Sequence, residues 1–186
     1  MSEKIALDAP CLGLKEKEYL AKAVDEGYVS SVGPFIPEFE TRIAEFLGVK
    51  GTVAVQSGTA AIHMALHELG IGPGDEVIVP ALAFTATVNP VLMVGATPVI
   101  VDVDERTWNI DPRKVEKAIT DRTKAVIPVH LYGNPCVMDV LMGIAKDNDL
   151  YVIEDDTESL GAKFQGTHTG GFGDLRVLSF NDNKMM

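Results

Sequence analysis

The sequence predicts an α/β fold in which helices cover both faces of a mostly parallel sheet. Short β-branched runs alternate with helical patterns along most of the chain. Residues 77–101 also lack any charged side chain, as expected for parallel strands that are buried on both faces. Because prolines and glycines divide this stretch, we expect a buried strand–helix–strand unit there, and not a membrane span of about 20 residues.

Several segments have the composition of strands, and helical patterns separate them. The predicted strands are residues 52–55, 76–79, 97–101, 125–129, 151–154 and 176–180. The predicted helices are residues 36–47, a segment after Ser57, residues 112–119 and residues 137–147. Gly48 is the expected stop of the first helix, and Asp111 before Pro112 is an N-cap followed by a proline that favours the first helical turn.

The charge and the cysteine content narrow the class of protein. The 186 residues carry a net charge of −11, which argues against a general nucleic-acid surface or an acidic membrane surface. Cys11 and Cys136 lie far apart, which fits a reducing compartment, and residues 1–10 lack the apolar core of a signal peptide. We therefore expect a cytoplasmic protein. His63 and His67 have no third ligand in the sequence, so we expect no metal site.

Three groups of residues are suited to binding one small ligand. Ser57, Gly58 and Thr59 come at the predicted start of a helix, where free amides and the helix dipole favour an anion such as phosphate. Asp155 comes at the carboxyl end of a predicted strand, where open α/β sheets bind their ligands. Lys184 follows the last predicted strand.

Each of these groups also has a simpler explanation. Ser57 alone would be an ordinary N-cap, the acids after the strand could cap a turn, and Lys184 could be a solvated lysine. Together, however, the three groups match what pyridoxal phosphate requires. It needs an anion site for its phosphate, a carboxylate that keeps the ring nitrogen protonated, and an amine that bonds to its aldehyde. The combination therefore favours this cofactor.

A series of motifs resembles, in order, those of the DegT-type pyridoxal-phosphate-dependent sugar aminotransferases. The motifs are GYVSSVGP at 27–34 with EFE at 38–40, SGTAA at 57–61, PALAFTAT at 80–87, VIED at 152–155 and SFNDNK at 179–184. The resemblance covers essentially the whole chain. It implies an N-terminal extension at residues 1–34, the large domain of the type I aminotransferase fold at residues 35–186, and an active site at a homodimer interface.

The resemblance also implies roles for single residues. The implied cofactor contacts are Gly58, Thr59 and Ser179 at the phosphate, Phe84 on the ring face, Asp155 at the pyridine nitrogen and Lys184 at the aldehyde. Lys184 would also relay a proton as general base and acid. The implied reaction transfers an amino group from glutamate to a UDP- or dTDP-linked 4-keto-6-deoxyhexose in amino-sugar and polysaccharide biosynthesis. Asn181 and Asn183 most resemble the branch that aminates UDP-linked N-acetyl sugars.

The sequence departs from the family pattern at several points. Glu158 stands where the family has Gln or His in contact with the ring hydroxyl, and a glutamate must be protonated to donate there. Asp156 and Asp182 stand where small residues are usual. The small C-terminal domain of the family does not follow Lys184, so we expect a truncated chain.

Two alternatives to an active aminotransferase stay open. A truncated paralogue that keeps the fold without turnover would account for the missing domain and for the unusual acids. A sugar dehydratase on the same scaffold is the other alternative. Those relatives carry histidine in place of the lysine, so the presence of Lys184 counts against a dehydratase.

Overall fold

The computed structural model describes residues 12–181 and Lys184. Their contacts group them into two compact units, one formed by residues 12–54 with Asn181 and the other by residues 55–180 with Lys184. The predicted boundary between an extension and a cofactor domain, at residues 34 and 35, stays a prediction.

The first unit contains two helices, α1 (Leu14–Asp25) and α2 (Phe35–Leu47). Helix α2 and its stop at Gly48 follow the prediction, since Gly48 adopts the left-handed conformation with φ 68°. Helix α1 was not predicted. None of its residues is buried in the structure. At its start the Glu16 carboxylate accepts a hydrogen bond from the Gly13 amide at 2.6 Å.

The predicted strand at residues 52–55 was wrong, because this segment pairs with no strand among the described residues. It hydrogen-bonds to helix α2 instead. The Thr52 hydroxyl donates to the Glu40 carbonyl at 2.6 Å, and the Ala54 amide donates to the Glu40 carboxylate at 2.8 Å. A short β-branched run has the same composition whether its amides face a strand or a helix, so its pairing is a tertiary property.

The second unit is the α/β layer structure that the sequence predicts. Its helices are α3 (Gly58–Glu68), α4 (Thr85–Met93), α5 (Pro112–Ala118) and α6 (Met138–Asp147). Its strands are β1 (Glu76–Pro80), β2 (Thr97–Val101), β3 (Thr123–Val126), β4 (Tyr151–Asp155), β5 (Lys163–Phe164), β6 (Thr167–His168) and β7 (Leu175–Val177). A five-stranded sheet has the order β2-β1-β3-β4-β7, and every pair in it is parallel.

Two apolar cores lie on opposite faces of this sheet because successive side chains of a strand point to opposite sides. One core joins α3 and α4 to Val77, Val79 and Ile153, and it includes Ile62 and Leu66 of α3. The other core joins α5 and α6 to the alternate strand positions, such as Ile78, Val126 and Val152. The predicted fold class, with helices on both faces of a parallel sheet, is therefore confirmed.

The uncharged stretch at residues 77–101 forms the predicted strand–helix–strand unit of β1, α4 and β2. The prediction that this whole unit is buried was correct only for part of it. Strand β1 is buried throughout, whereas β2 lies at the edge of the sheet and its Ile100 is 61% exposed. Within the part of the chain that the structure describes, no helix has the length and apolarity needed to cross a membrane.

Strands β3 and β7 are shorter than predicted. Pro128 has no N–H, so the ladder after β3 continues only as an isolated bridge between Val129 and Asp155. The segment after Val177 leaves the sheet before residue 180. The two-residue strands β5 and β6 form an antiparallel hairpin that was not predicted, since each strand is too short for a period to be visible.

Candidate active site

The carboxyl end of β4 directs its two acids to opposite faces of the sheet. Asp155 points to the side of α3 and α4, where it accepts a hydrogen bond from the Thr87 hydroxyl of α4. Glu154 points to the other side, where it contacts His130. Both acids are buried, with 3% and 0% of their surface exposed, respectively. Only Asp155 therefore lies on the same side as the start of α3.

Three donors hold the Asp155 carboxylate. The Thr87 hydroxyl donates to Oδ2 at 2.6 Å, while the hydroxyl and the amide of Thr157 donate to Oδ1 at 2.6 and 3.3 Å. A carboxylate offers about four lone-pair sites, so it can still accept a further donor such as a ring N–H. Sequence reasoning missed both threonines as site residues. Their signals were the spacing of two between Asp155 and Thr157, and the place of Thr87 inside the motif at residues 80–87.

The start of α3 lies directly against this acid loop. A methyl group added at Gly58 would come within 3.1 Å of the Thr157 methyl carbon, so only glycine fits without displacing Thr157. Ser57 is the N-cap, and its hydroxyl accepts from the Ala60 amide at 3.2 Å. Within residues 12–181 and Lys184, the Gly58 and Thr59 amides have no hydrogen-bond partner. The simpler explanation of Ser57 as a cap is thus correct, and two amides remain for an anion.

Lys184 lies between an aromatic ring and an acid. Its Nζ is 5.4 Å from the centroid of the Phe84 ring and donates to Glu158 Oε1 at 3.0 Å. Both side chains of the ion pair are largely buried, with 14% of Lys184 and 18% of Glu158 exposed. Phe84 is 68% exposed and immediately precedes α4, the helix that carries Thr87. One helix thus links the ring beside the amine to the acid at β4.

A residue without a predicted role holds Glu158 from its other side. The Tyr132 amide donates to Glu158 Oε2 at 3.1 Å. Tyr132 adopts the left-handed conformation with φ 51°, which is rare for a residue with a bulky side chain and is found preferentially at functional sites. Asn109 helps to hold this turn, since its side chain accepts from the Leu131 amide and donates to the Asn134 carbonyl.

A buried hydrogen-bond network surrounds Glu154, on the face of β4 opposite to Asp155. The Glu154 carboxylate accepts from the amides of Gly170, Phe172 and Gly173 at 2.6 to 2.9 Å, and it lies 3.1 Å from His130 Nε2. Because His130 Nδ1 accepts from the Cys136 amide, Nε2 must carry the ring proton and donate to Glu154. Burial raises the pKa of Glu154, but the His130 hydrogen bond and the loop amides outweigh it and lower the pKa below its ordinary value.

Asp156 is a second buried acid on this face. The Ser159 hydroxyl donates to its Oδ1, while Oδ2 has no hydrogen-bond partner in the part of the chain that the structure describes. Burial raises the pKa of Asp156 above its ordinary value. The folded state therefore binds this proton more tightly than the unfolded chain. The stability that Asp156 contributes is present below its unfolded pKa and is lost as the pH rises through the folded pKa.

We expect Asp156→Asn to gain stability relative to the unsubstituted chain as the pH rises from about 4 to about 8, because asparagine has no proton to lose. The expected gain is about 1.4 kcal/mol for each unit that separates the folded and unfolded pKa values of Asp156. Thermal unfolding followed by circular dichroism at both pH values measures it. Parallel pH profiles for the two chains would contradict the expectation.

The structure describes only some of the remaining residues that the sequence singled out. Ser179 is half-buried and lies two residues after β7, and Asn181 is exposed. Asp182 and Asn183, for which the sequence suggested a departure and a substrate preference, lie outside the described residues, as does Cys11. Cys136 is buried, and burial raises the pKa of its thiol. Among residues 12–181 and Lys184, no three metal-ligating side chains come together.

Comparison with known proteins shows which family the chain resembles. The sequence profile of the DegT/DnrJ/EryC1/StrS aminotransferase family matches residues 10–186. The GDP-perosamine synthase of Caulobacter vibrioides is 48% identical over 183 residues, which are 98% of this chain and 49% of that protein. The UDP-N-acetyl-3-dehydro-alpha-D-glucosamine 3-aminotransferase of Acidithiobacillus ferrooxidans is 50% identical over 145 residues, 78% of this chain and 39% of that protein.

A solved structure has the same fold. A protein of Streptococcus pneumoniae, described as a sugar aminotransferase in its PMP form, superimposes with a TM-score of 0.90 at 32% identity over 98% of this chain and 50% of that one. The chain spans about half the length of the curated relatives it matches. Because the profile match covers nearly the whole sequence, the chain belongs to the DegT/DnrJ/EryC1/StrS aminotransferase family.

Proposed function

We propose that this chain carries the cofactor site of a pyridoxal-phosphate-dependent aminotransferase that acts on a nucleotide-linked keto-sugar. The observation that carries the proposal is that one compact unit holds an amine beside the residue that precedes α4, a buried carboxylate that binds α4, and the free amides of a helix start. Phe84, which lies near the amine, immediately precedes α4, and α4 binds the carboxylate through Thr87. Gly58 at the helix start lies close to Thr157, which also binds the carboxylate.

The donor set fits the chemical groups of pyridoxal phosphate. The amides of Gly58 and Thr59 would hold the phosphate with Ser57 and Ser179, and Asp155 would accept the proton on the ring nitrogen. Phe84 would lie against the ring, and Lys184 would bond to the aldehyde. The open lone pairs of Asp155 and the unpartnered amides of α3 support this assignment, because each is a buried or half-buried polar group that a ligand can satisfy.

Two residues of the chain, Asp155 and Lys184, would act directly in transamination. The cofactor, when bound, supplies an electron sink and a carrier for the amino group. Asp155 would keep the ring nitrogen protonated, since a carboxylate beside a positive charge stabilises that charge. Lys184 Nζ would accept a proton from the substrate carbon as a general base and then donate it as a general acid.

The substrate is proposed from the relatives. The names of two of them pair a nucleoside diphosphate, GDP or UDP, with an amino sugar. We propose a 4-keto-6-deoxyhexose on a nucleoside diphosphate as the acceptor and glutamate as the amino donor, in amino-sugar and surface polysaccharide biosynthesis. The motifs of the sequence suggest UDP or dTDP as the nucleotide, whereas the name of the first relative contains GDP. An amination assay that compares the UDP-, dTDP- and GDP-linked keto-sugars decides between them.

Covalent capture of the cofactor tests the proposed function. We expect pyridoxal phosphate followed by borohydride to give a stable adduct on Lys184, identified by peptide mass spectrometry. Lys184→Arg is the matched control, since arginine keeps the positive charge beside Glu158 and Phe84 but cannot form the bond. Absence of the adduct in the unsubstituted chain at saturating cofactor would instead support the inactive paralogue. The same adduct contradicts a dehydratase whose site carries no such lysine.

The proposal extends to assembly and location. We propose a homodimer with the site at its interface, in the cytoplasm, as the resemblance of the motifs implies.

A further inference from the structure

Glu158 makes two contacts whose partners are both donors. Its Oε1 accepts from Lys184 Nζ at 3.0 Å, and its Oε2 accepts from the Tyr132 amide at 3.1 Å. A carboxylate that bridges an ammonium and an amide is suited to the ionised form of the acid. Glu158 is thus a hydrogen-bond partner of both the lysine and the Tyr132 amide.

The Glu158 carboxylate is held by a second contact, independent of the one to Lys184. Tyr132 donates from a left-handed backbone, and Asn109 holds this turn through bonds to Leu131 and Asn134. The centroid of the Phe84 ring lies 5.4 Å from Lys184 Nζ. A cation that is close to both an anion and a ring face is stabilised by both.

We propose that Glu158 is a positioning residue that holds the Lys184 amine in an ion pair and so controls its access to a carbonyl group. An ammonium has no lone pair with which to attack a carbonyl, so the ion pair must open before the bond to an aldehyde can form. Glu158 therefore sets how fast Lys184 captures a carbonyl compound, and the Tyr132 amide keeps Glu158 in place. The inference rests on the proposed function for its biological meaning, since Lys184 is there the cofactor lysine.

Carbonyl capture can be measured without the cofactor. The cofactor-free full chain is treated with formaldehyde and cyanoborohydride at one fixed pH, and the methylation rate of each lysine is followed by peptide mass spectrometry. We expect Glu158→Gln to accelerate methylation of Lys184 about threefold to tenfold, because glutamine keeps an acceptor oxygen but lacks the charge. An unchanged or slower rate at Lys184 would overturn the proposal.

Two further variants keep the test decisive. Asp102→Asn is the matched control, since it removes the acid from the exposed pair of Lys114 and Asp102, and we expect less than about a twofold change at Lys114. Glu158→Asp keeps the charge but shortens the side chain by one methylene, so its rate should lie between those of the unsubstituted chain and Glu158→Gln. If Glu158→Gln does not melt cooperatively, Glu158→Asp decides, and a rate no faster than that of the unsubstituted chain overturns the proposal.

Pyridoxal phosphate itself then separates this inference from the proposed function. Faster methylation of Lys184 in Glu158→Gln, together with faster formation of the cofactor adduct, supports both. Faster methylation without any cofactor adduct supports the role of Glu158 and contradicts the proposed function.

Discussion

Asp155→Asn is expected to lower the rate of transamination by about 10²–10³-fold, the usual effect of removing a preorganised charge from an active site. Asparagine has nearly the same shape as aspartate. The Thr87 and Thr157 hydroxyls can rotate to accept from its amide, so the fold should persist. What is lost is the negative charge that would keep the ring nitrogen protonated. The measurement is kcat with glutamate and the keto-sugar, together with the affinity for the cofactor.

Asp121→Asn is the control for the change in net charge, since Asp121 is an exposed acid outside the site. It should leave kcat unchanged. If Asp155→Asn retained more than about a tenth of the rate, Asp155 would not be the partner of the ring nitrogen, and the assignment of the site would have to be revised.

Glu154→Ala is expected to lower the free energy of unfolding by about 3–5 kcal/mol, since it breaks a buried charged network. The substitution leaves the amides of Gly170, Phe172 and Gly173 and the Nε2–H of His130 without their acceptor. A loss of this size is a large part of the ~5–15 kcal/mol by which a domain is usually stable. Urea unfolding followed by circular dichroism measures the change.

The pH dependence of this loss has a definite sign. Because the pKa of Glu154 is lowered in the folded state, its stabilisation is present above the unfolded pKa of about 4.3 and is lost as the pH falls through the folded value. The difference between Glu154→Ala and the unsubstituted chain should therefore shrink in acid. Glu116→Ala, a substitution on the exposed side of α5, is the control and should change stability by less than about 0.5 kcal/mol. Equal losses for the two variants at neutral pH would show that the Glu154 network contributes no special stability.

Local patterns in the sequence predicted most elements of the second unit. Alternation of apolar runs with helical periods identified the strands β1, β2 and β4, and capping residues located α3 and α5. The run at residues 52–55 was misassigned because its polar groups bind helix α2, and a composition that suits a strand or a coil equally is decided by such partners. The hairpin of β5 and β6 was missed because each of its strands has only two residues.

The residues proposed for the candidate site, among them Gly58, Phe84, Asp155 and Lys184, come from motifs in a set order in the sequence. The contacts that surround them could not be predicted from the sequence. Thr87 contacts Asp155 across 68 positions, and Glu158 contacts Lys184 across 26. Such pairs form only when strands and helices have taken their places in the sheet.

The sequence alone predicts the fold class, most strands and helices from α3 to β4, the helix start after Ser57, and the residue types of an amine, an acid and a ring. The three-dimensional structure was needed to show which of the adjacent acids Glu154 and Asp155 faces the α3 side of the sheet, and that Glu158 binds the lysine. The physical reason is that neighbouring side chains on a strand point to opposite faces of the sheet. A shift of one residue along the strand therefore decides whether an acid faces the candidate site or the opposite side of the sheet.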